Sequence, residues 1–254
     1  LLIAVAIAGF SACSYFGTKQ TNPVTGETQY VDLNPQQEIA LGVQSAPAMA
    51  RQHGGLDPDP RAQRLVDDVG NRIVERSDAR KAPYRFEFHA LRDAKTVNAF
   101  ALPGGQIFIT RALLGRLKTE GELAGVLGHE IAHVVGRHGA EHLAKQKLTQ
   151  GLVAAGAVAT TDPGDPRTYR NAALAAAVGQ MVNMKFGRDD EIESDALGVR
   201  YMAQAGYDPR SMIRVMKVLA AAGGGGRTPE FFSTHPNPEN RIGKIEEAIR
   251  RTFV

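Results

Sequence analysis

Tryptophan is absent from this chain and cysteine occurs once. A single cysteine excludes an internal disulfide framework and a zinc site built from several thiolates. Aromatic residues make up 6% of the sequence, so the core has to be packed from small residues and ten Phe. No apolar run approaches the roughly 20 residues that cross a bilayer as a helix. Charge of one sign is also nearly missing. Against 27 Asp and Glu stand 30 Lys and Arg, leaving +3 over 254 residues. Without a basic run to track phosphates, nucleic acid is not an expected partner.

What is present suits one globular domain: 43% hydrophobic and 22% charged residues, over a length that can bury a core. The chain opens with twelve apolar or small residues, Leu1 to Ala12, ending at Cys13. That matches the apolar core of an export signal, and the sequence reads as starting part-way into one. Ser11 and Ala12 before Cys13 resemble a bacterial lipobox, with Phe10 where Leu is usual, and make Cys13 the expected lipidation site. The organisation expected is a partial signal peptide over 1–12, a lipidated tether or extended arm over 13–32, and one domain over 33–254.

Within that domain, Asn34-Pro35 and Asp59-Pro60 pair a capping residue with proline at the first helical position, so helices follow both. Tyr84 to Leu91 alternates apolar and polar residues as a half-buried strand does. Thr96 to Leu102 and Gln106 to Thr110 are two further strands around a Pro103-Gly104-Gly105 turn. Thr119 to Gln146 reads as helix, as do Asp189 to Ala205, Pro209 to Ala222 and Pro238 to Arg251. The Ala-rich segments Gln150 to Thr161 and Ala172 to Met184 are too short to span a membrane and read as packing helices. The fold class is therefore α+β, mostly helical, with a small sheet of about three strands.

Residues 129–133 read His-Glu-Ile-Ala-His. Two histidines at i and i+4 lie about 40° apart around a helix, so both imidazoles can reach one ion. Glu130 between them can reach a water on that ion and take its proton. A catalytic zinc needs a third protein ligand. On a continuous helix His138 and His142 stand about 180° and 220° from His129 and cannot share its metal without a break. The spacing also fails the H-E-x-x-H-x-x-G-x-x-H pattern, because position 139 is Gly. The acidic run Asp189 to Asp195 is the other source. Glu191 and Asp195 share a helix face, where Glu191 could ligate and Asp195 could accept the outer N–H of a ligating histidine. Glu193 points about 200° away from Glu191 and is the alternative. The same run also suits the solvated N-terminus of an ordinary helix.

Four stretches in order carry a resemblance: VNAFALPGGQIFIT from Val97, HEIAHVVGRHGAEH from His129, EIESDALG from Glu191 and STHPNPENRI from Ser233. Together they resemble the gluzincin zinc metallopeptidase family that contains the CAAX prenyl endopeptidase and HtpX, in the arrangement of its BepA- and LoiP-like periplasmic lipoprotein branch. The resemblance implies a zincin-like domain binding one zinc ion per chain, with His129, His133 and Glu191 as ligands and Glu130 as general base. It makes Asp195 the family's conserved acid, with a catalytic role either in supporting a ligand histidine or as a proton donor. His235, by itself an ordinary loop histidine, becomes a group that plugs the fourth zinc position or stabilises the oxyanion. It implies that the backbone of Asn98, Ala99, Phe100 and Ala101 pairs with an extended substrate, although Val97 and Phe100 would serve equally as sheet core. Implied partners are unfolded or misassembled exported proteins, a membrane held through Cys13, and envelope assembly machinery. The implied location is the periplasm, at the outer membrane. A latent or non-catalytic chaperone of the same fold, its zinc plugged by His235, is the rival reading, and an intact Glu130 speaks against it.

Overall fold

The computed structural model describes residues 2–160, 186–223, 229–236 and 240–252. The helix expected over Ala172 to Met184 lies outside them. Helix α1 (Leu2–Phe16) runs through an exposed Cys13. A hairpin of β1 (Lys19–Thr21) and β2 (Thr28–Tyr30) follows, its turn held by the Asn22 side chain, which accepts from the amides of Val24 and Thr25. Helix α2 (Pro35–Gln52) starts at a reciprocal Asn34–Gln37 capping box with Pro35 in the first turn. Asp59 caps α3 (Pro60–Arg76) by accepting from the Arg61 amide, again with proline next. Among the described residues no helix is long and apolar enough to cross a membrane.

The sheet has three strands in the order β3–β5–β4: β3 (Glu87–Leu91), β4 (Ala99–Leu102) and β5 (Gln106–Thr110). Strands β3 and β5 are parallel from Glu87↔Gln106 to Leu91↔Thr110, while β4 folds back antiparallel on β5 and is an edge strand among the described residues. The turn between β4 and β5 uses φ of +81° at Gly104 and +107° at Gly105, which side chains disfavour. Strand β3 begins three residues later than the alternation suggests, because β5 starts only at Gln106 and Tyr84 to Phe86 have no partner to pair with. Their rings are buried nonetheless, and the Tyr84 hydroxyl donates to Glu38 at 2.8 Å.

After the short α4 (Arg111–Leu114), the single helix expected from Thr119 to Gln146 is in fact two, α5 (Glu120–Val135) and α6 (His138–Thr160). They break at Gly136-Arg137, where Arg137 adopts φ of +58°. The break has a clear cause. The Asn22 amide donates to Val135 O and the Gln29 amide to Gly136 O, so the hairpin takes carbonyls that a continuing helix would use. The Arg137 guanidinium donates to Glu38, to Gln20 and to Leu33 O, which holds an otherwise costly backbone conformation in place. Helix α6 packs along α1, with Gly151 directly against Ser11. Helices α7 (Arg188–Gln204), α8 (Arg210–Ala222), α9 (Glu230–Thr234) and α10 (Arg241–Thr252) complete the described residues. Strand β3 packs on α3, β4 on α5, and α5 on α7 and α8, so α5 runs through the middle of the core.

Candidate metal centre

From Glu122 to Val135 every residue of α5 is buried. A helix enclosed on all sides places any polar residue it carries inside the molecule. Besides Glu122 in the first turn, His129, Glu130 and His133 are those residues. The two imidazoles face the same way, with their Nε2 atoms 3.0 Å apart. Helix α7 crosses α5 where Gly198 meets Gly128. A Cβ at Gly198 would lie 3.2 Å from the backbone of Gly128 and His129, so the crossing depends on glycine. That close approach brings Glu191, in the first turn of α7, to the histidine pair. Its Oε2 is 3.5 Å from His129 Nε2 and its Oε1 is 3.4 Å from His133 Nε2. His235, just after α9, adds Nδ1 at 2.9 Å from Glu191 Oε1 and 3.4 Å from His129 Nε2.

These four residues are buried and their ligand atoms lie within 4.8 Å of one another. Tetrahedral zinc with bonds of ~2.0–2.1 Å separates its ligand atoms by ~3.3–3.4 Å. Five separations among these atoms, from 2.9 to 3.5 Å, lie near that figure. The donor chemistry fits as well. Asp195 Oδ1 sits 3.0 Å from His129 Nδ1 and can only accept, so the proton of His129 is on Nδ1 and its lone pair points inward. Burial pushes His133 well below the ordinary imidazole range, which leaves its lone pair free. Burial pushes the Glu191 carboxyl up, but His235, His133 and His129 around it hold it well below its usual value. Lone pairs and negative charge converging on one point, out of water, make a cation site, and two or three imidazoles with a carboxylate suit zinc.

Glu130 is fully buried beside this group, and neither carboxylate oxygen has a hydrogen-bond partner among the described residues. Its nearest charged neighbour is His235, with Oε1 3.6 Å from Nε2. Burial raises the Glu130 pKa, opposed by the cationic forms of His235 and His129. Burial pushes His235 down, but Glu191 and Glu130 outweigh it and the net shift is upward.

Each α5 histidine has a keeper on its outer side. For His129 it is Asp195, whose carboxylate is gripped by Arg241 at 2.7 and 2.9 Å. Burial pushes Asp195 up, yet Arg241 and His129 hold it below its usual range. Arg241 Nη1 also lies 2.9 Å from Glu191 Oε2, off the hydrogen-bonding direction. For His133 the keeper is His138, with Nδ1 to Nδ1 at 2.9 Å. Sequence reasoning assigned no role to Arg241 or His138. Arg241 belongs to no periodic pattern, and His138 reaches its place only through the break after α5. Glu193 lies outside the metal group and pairs with His138. His235 is buried against Phe231, the two rings stacked at 4.4 Å.

Beside His235 opens a cavity of about 220 Å³, lined by Met49, Asn98, Phe100, Ala101, Phe186 and Thr234. Ala99 sits beneath it, fully buried in the core. Because Asn98 and Phe100 pair with β5 at Thr110 and Phe108, the N–H and C=O of Ala99 and Ala101 face away from β5. Just before β4, the Val97 carbonyl accepts from Phe231 N. A wider groove of about 710 Å³ between α7 and α10 contains none of the metal-group residues.

The site also lies inside a stretch shared with known proteins. The chain is 30% identical over 248 residues, 95% of its length, to the Beta-barrel assembly-enhancing protease of Escherichia coli K12. It is 32% identical over 234 residues to the Putative beta-barrel assembly-enhancing protease of Vibrio cholerae, covering 90% of this chain and 46% of that one. A 37% match over 236 residues links it to the Mitochondrial metalloendopeptidase OMA1 of Schizosaccharomyces pombe, covering 92% of this chain and 67% of that protein. The chain spans about half the length of the bacterial relatives, 50% for the E. coli protein. The family model for peptidase family M48 matches residues 60–249, which takes in α5, β4, α7 and His235, and the chain belongs to that family.

Proposed function

We propose that this protein is a zinc-dependent endopeptidase acting on misfolded or misassembled exported proteins. The observation that carries the proposal is a buried carboxylate without a hydrogen-bond partner among the described residues, Glu130, set against His129, His133 and Glu191. When bound there, zinc acts as a Lewis acid that polarises a carbonyl and acidifies water. His129, His133 and Glu191 would hold it. Among the described residues Glu130 has no hydrogen bond to give up, and its raised pKa suits a group that takes a proton from the attacking water and returns it to the leaving amine nitrogen. The outward N–H and C=O groups of Ala99 and Ala101 would receive an extended substrate as an added strand, giving affinity with little demand on sequence.

His235 supports a resting form with the set closed, since it is fully buried and within 2.9 Å of Glu191. The apolar first residues and the exposed Cys13 support export and lipid attachment at that cysteine, with residues 13–32 between the anchor and a peptidase domain over 33–254. Relatives named for enhancing β-barrel assembly support a role in envelope quality control, in the periplasm at the outer membrane, alongside assembly machinery. The test is bound zinc and casein cleavage by the wild type, Glu130→Gln and His235→Ala. About one zinc per chain, with cleavage lost in Glu130→Gln and raised in His235→Ala, is expected. Equal cleavage by wild type and Glu130→Gln overturns the mechanism, and zinc without cleavage in any of the three favours a chaperone.

A further inference from the structure

We infer that His138, oriented by Glu193, is the positioning residue that fixes His133 as a metal ligand. The inference rests on the reading of His133 as a ligand and follows from proton accounting. For His133 to present its Nε2 lone pair to the metal group, its proton must sit on Nδ1. That Nδ1–H faces His138 Nδ1 at 2.9 Å, so His138 must accept there. The proton of His138 is then on Nε2, which donates to Glu193 Oε2 at 3.2 Å. One acceptor-only group at the end of the chain, the Glu193 carboxylate, thus determines both tautomers. The Ser194 hydroxyl, 3.3 Å from His138 Nδ1, can donate to the same lone pair but cannot replace it as an acceptor for His133 without turning away.

The backbone is shaped for this contact. On a continuous helix His138 would stand about 140° from His133. The left-handed Arg137 turns the chain back so that the two rings meet nearly at right angles, with centroids 5.0 Å apart. His138 is 1% exposed, so it loses its water in exchange for these two hydrogen bonds. The two ligand histidines are thus held by different chemistry, a carboxylate with its arginine behind His129 and a histidine with its carboxylate behind His133. Glu193, which points away from the metal group along α7, is accounted for by this second arrangement.

The experiment measures zinc affinity of the full-length protein by competition with a chromophoric chelator, together with the melting temperature of each metal-free variant. His138→Phe keeps a ring but removes the acceptor, and zinc should bind 10–100-fold more weakly. His138→Asn retains an oxygen near the Nδ1 position and should stay within a few-fold of wild type, as should Glu193→Gln. Glu193→Leu, at a part-exposed position that tolerates change, should weaken zinc and keeps the test open if His138→Phe does not fold. Wild-type affinity in His138→Phe or in Glu193→Leu overturns the inference. So does a His138→Asn variant as weak as His138→Phe, or variants that lower the metal-free melting temperature without changing affinity. A wild type that binds no zinc would instead remove the metal reading itself.

Discussion

Arg241 offers the sharpest test of how the site is built. Its guanidinium is 2% exposed and makes two hydrogen bonds to Asp195, at 2.7 and 2.9 Å, with Glu191 Oε2 at 2.9 Å from a third nitrogen. Arg241→Met preserves much of the volume and removes the only guanidinium that touches either carboxylate among the described residues. Removing one partner of a buried ion pair costs about 3–5 kcal/mol, because the other charge is left uncompensated. For a chain of this size about 1 kcal/mol corresponds to roughly 2–4 °C, so the metal-free variant should melt about 6–20 °C lower at pH 7.5. The pH dependence has a definite sign. Arg241 holds the Asp195 pKa below its unfolded value, so the stability it contributes is present above that unfolded value and lost as pH falls through the folded one. The deficit of Arg241→Met should therefore be greatest at neutral pH and shrink towards about pH 4, where Asp195 can protonate once its cation is gone. Zinc should recover part of it by supplying another positive charge. Thermal melts with and without zinc, across that pH range, decide the matter. A metal-free variant as stable as wild type at pH 7.5, or a deficit that grows with acid, would refute the reasoning.

Two further outcomes are expected. Ala99→Pro removes an N–H that faces away from β5 and so leaves the hairpin ladder intact. Losing one such bond to substrate, worth about 0.5–1.5 kcal/mol, should raise KM about 2–12-fold with kcat nearly unchanged, and a fall in kcat alone would count against edge pairing. Cys13→Ser should abolish incorporation of labelled fatty acid, and unchanged incorporation would dismiss the anchor at Cys13.

Much of the site was legible in local spacing. Histidines one turn apart must share a helix face, and so must Glu191 and Asp195, because 3.6 residues complete a turn whatever surrounds the helix. The caps at Asn34 and Asp59 and the Gly104-Gly105 turn are local in the same sense, set by backbone geometry within a few residues. The mostly helical class with a three-stranded sheet follows from such signals added together, whereas the β1–β2 hairpin was not among them. Long-range pairing decided the rest. Strand β3 could not be bounded from its own alternation because β5 sets where the ladder starts. The break at Gly136-Arg137 is imposed by Asn22, Gln29 and Glu38, more than a hundred positions earlier in the first two cases, so nothing within the helix announces it. His138, Arg241 and the buried His235 acquire their partners only when α6, α7, α10 and the segment after α9 converge on α5. Periodicity records what a residue can face on its own helix, and tertiary packing alone determines which groups from other helices are waiting there.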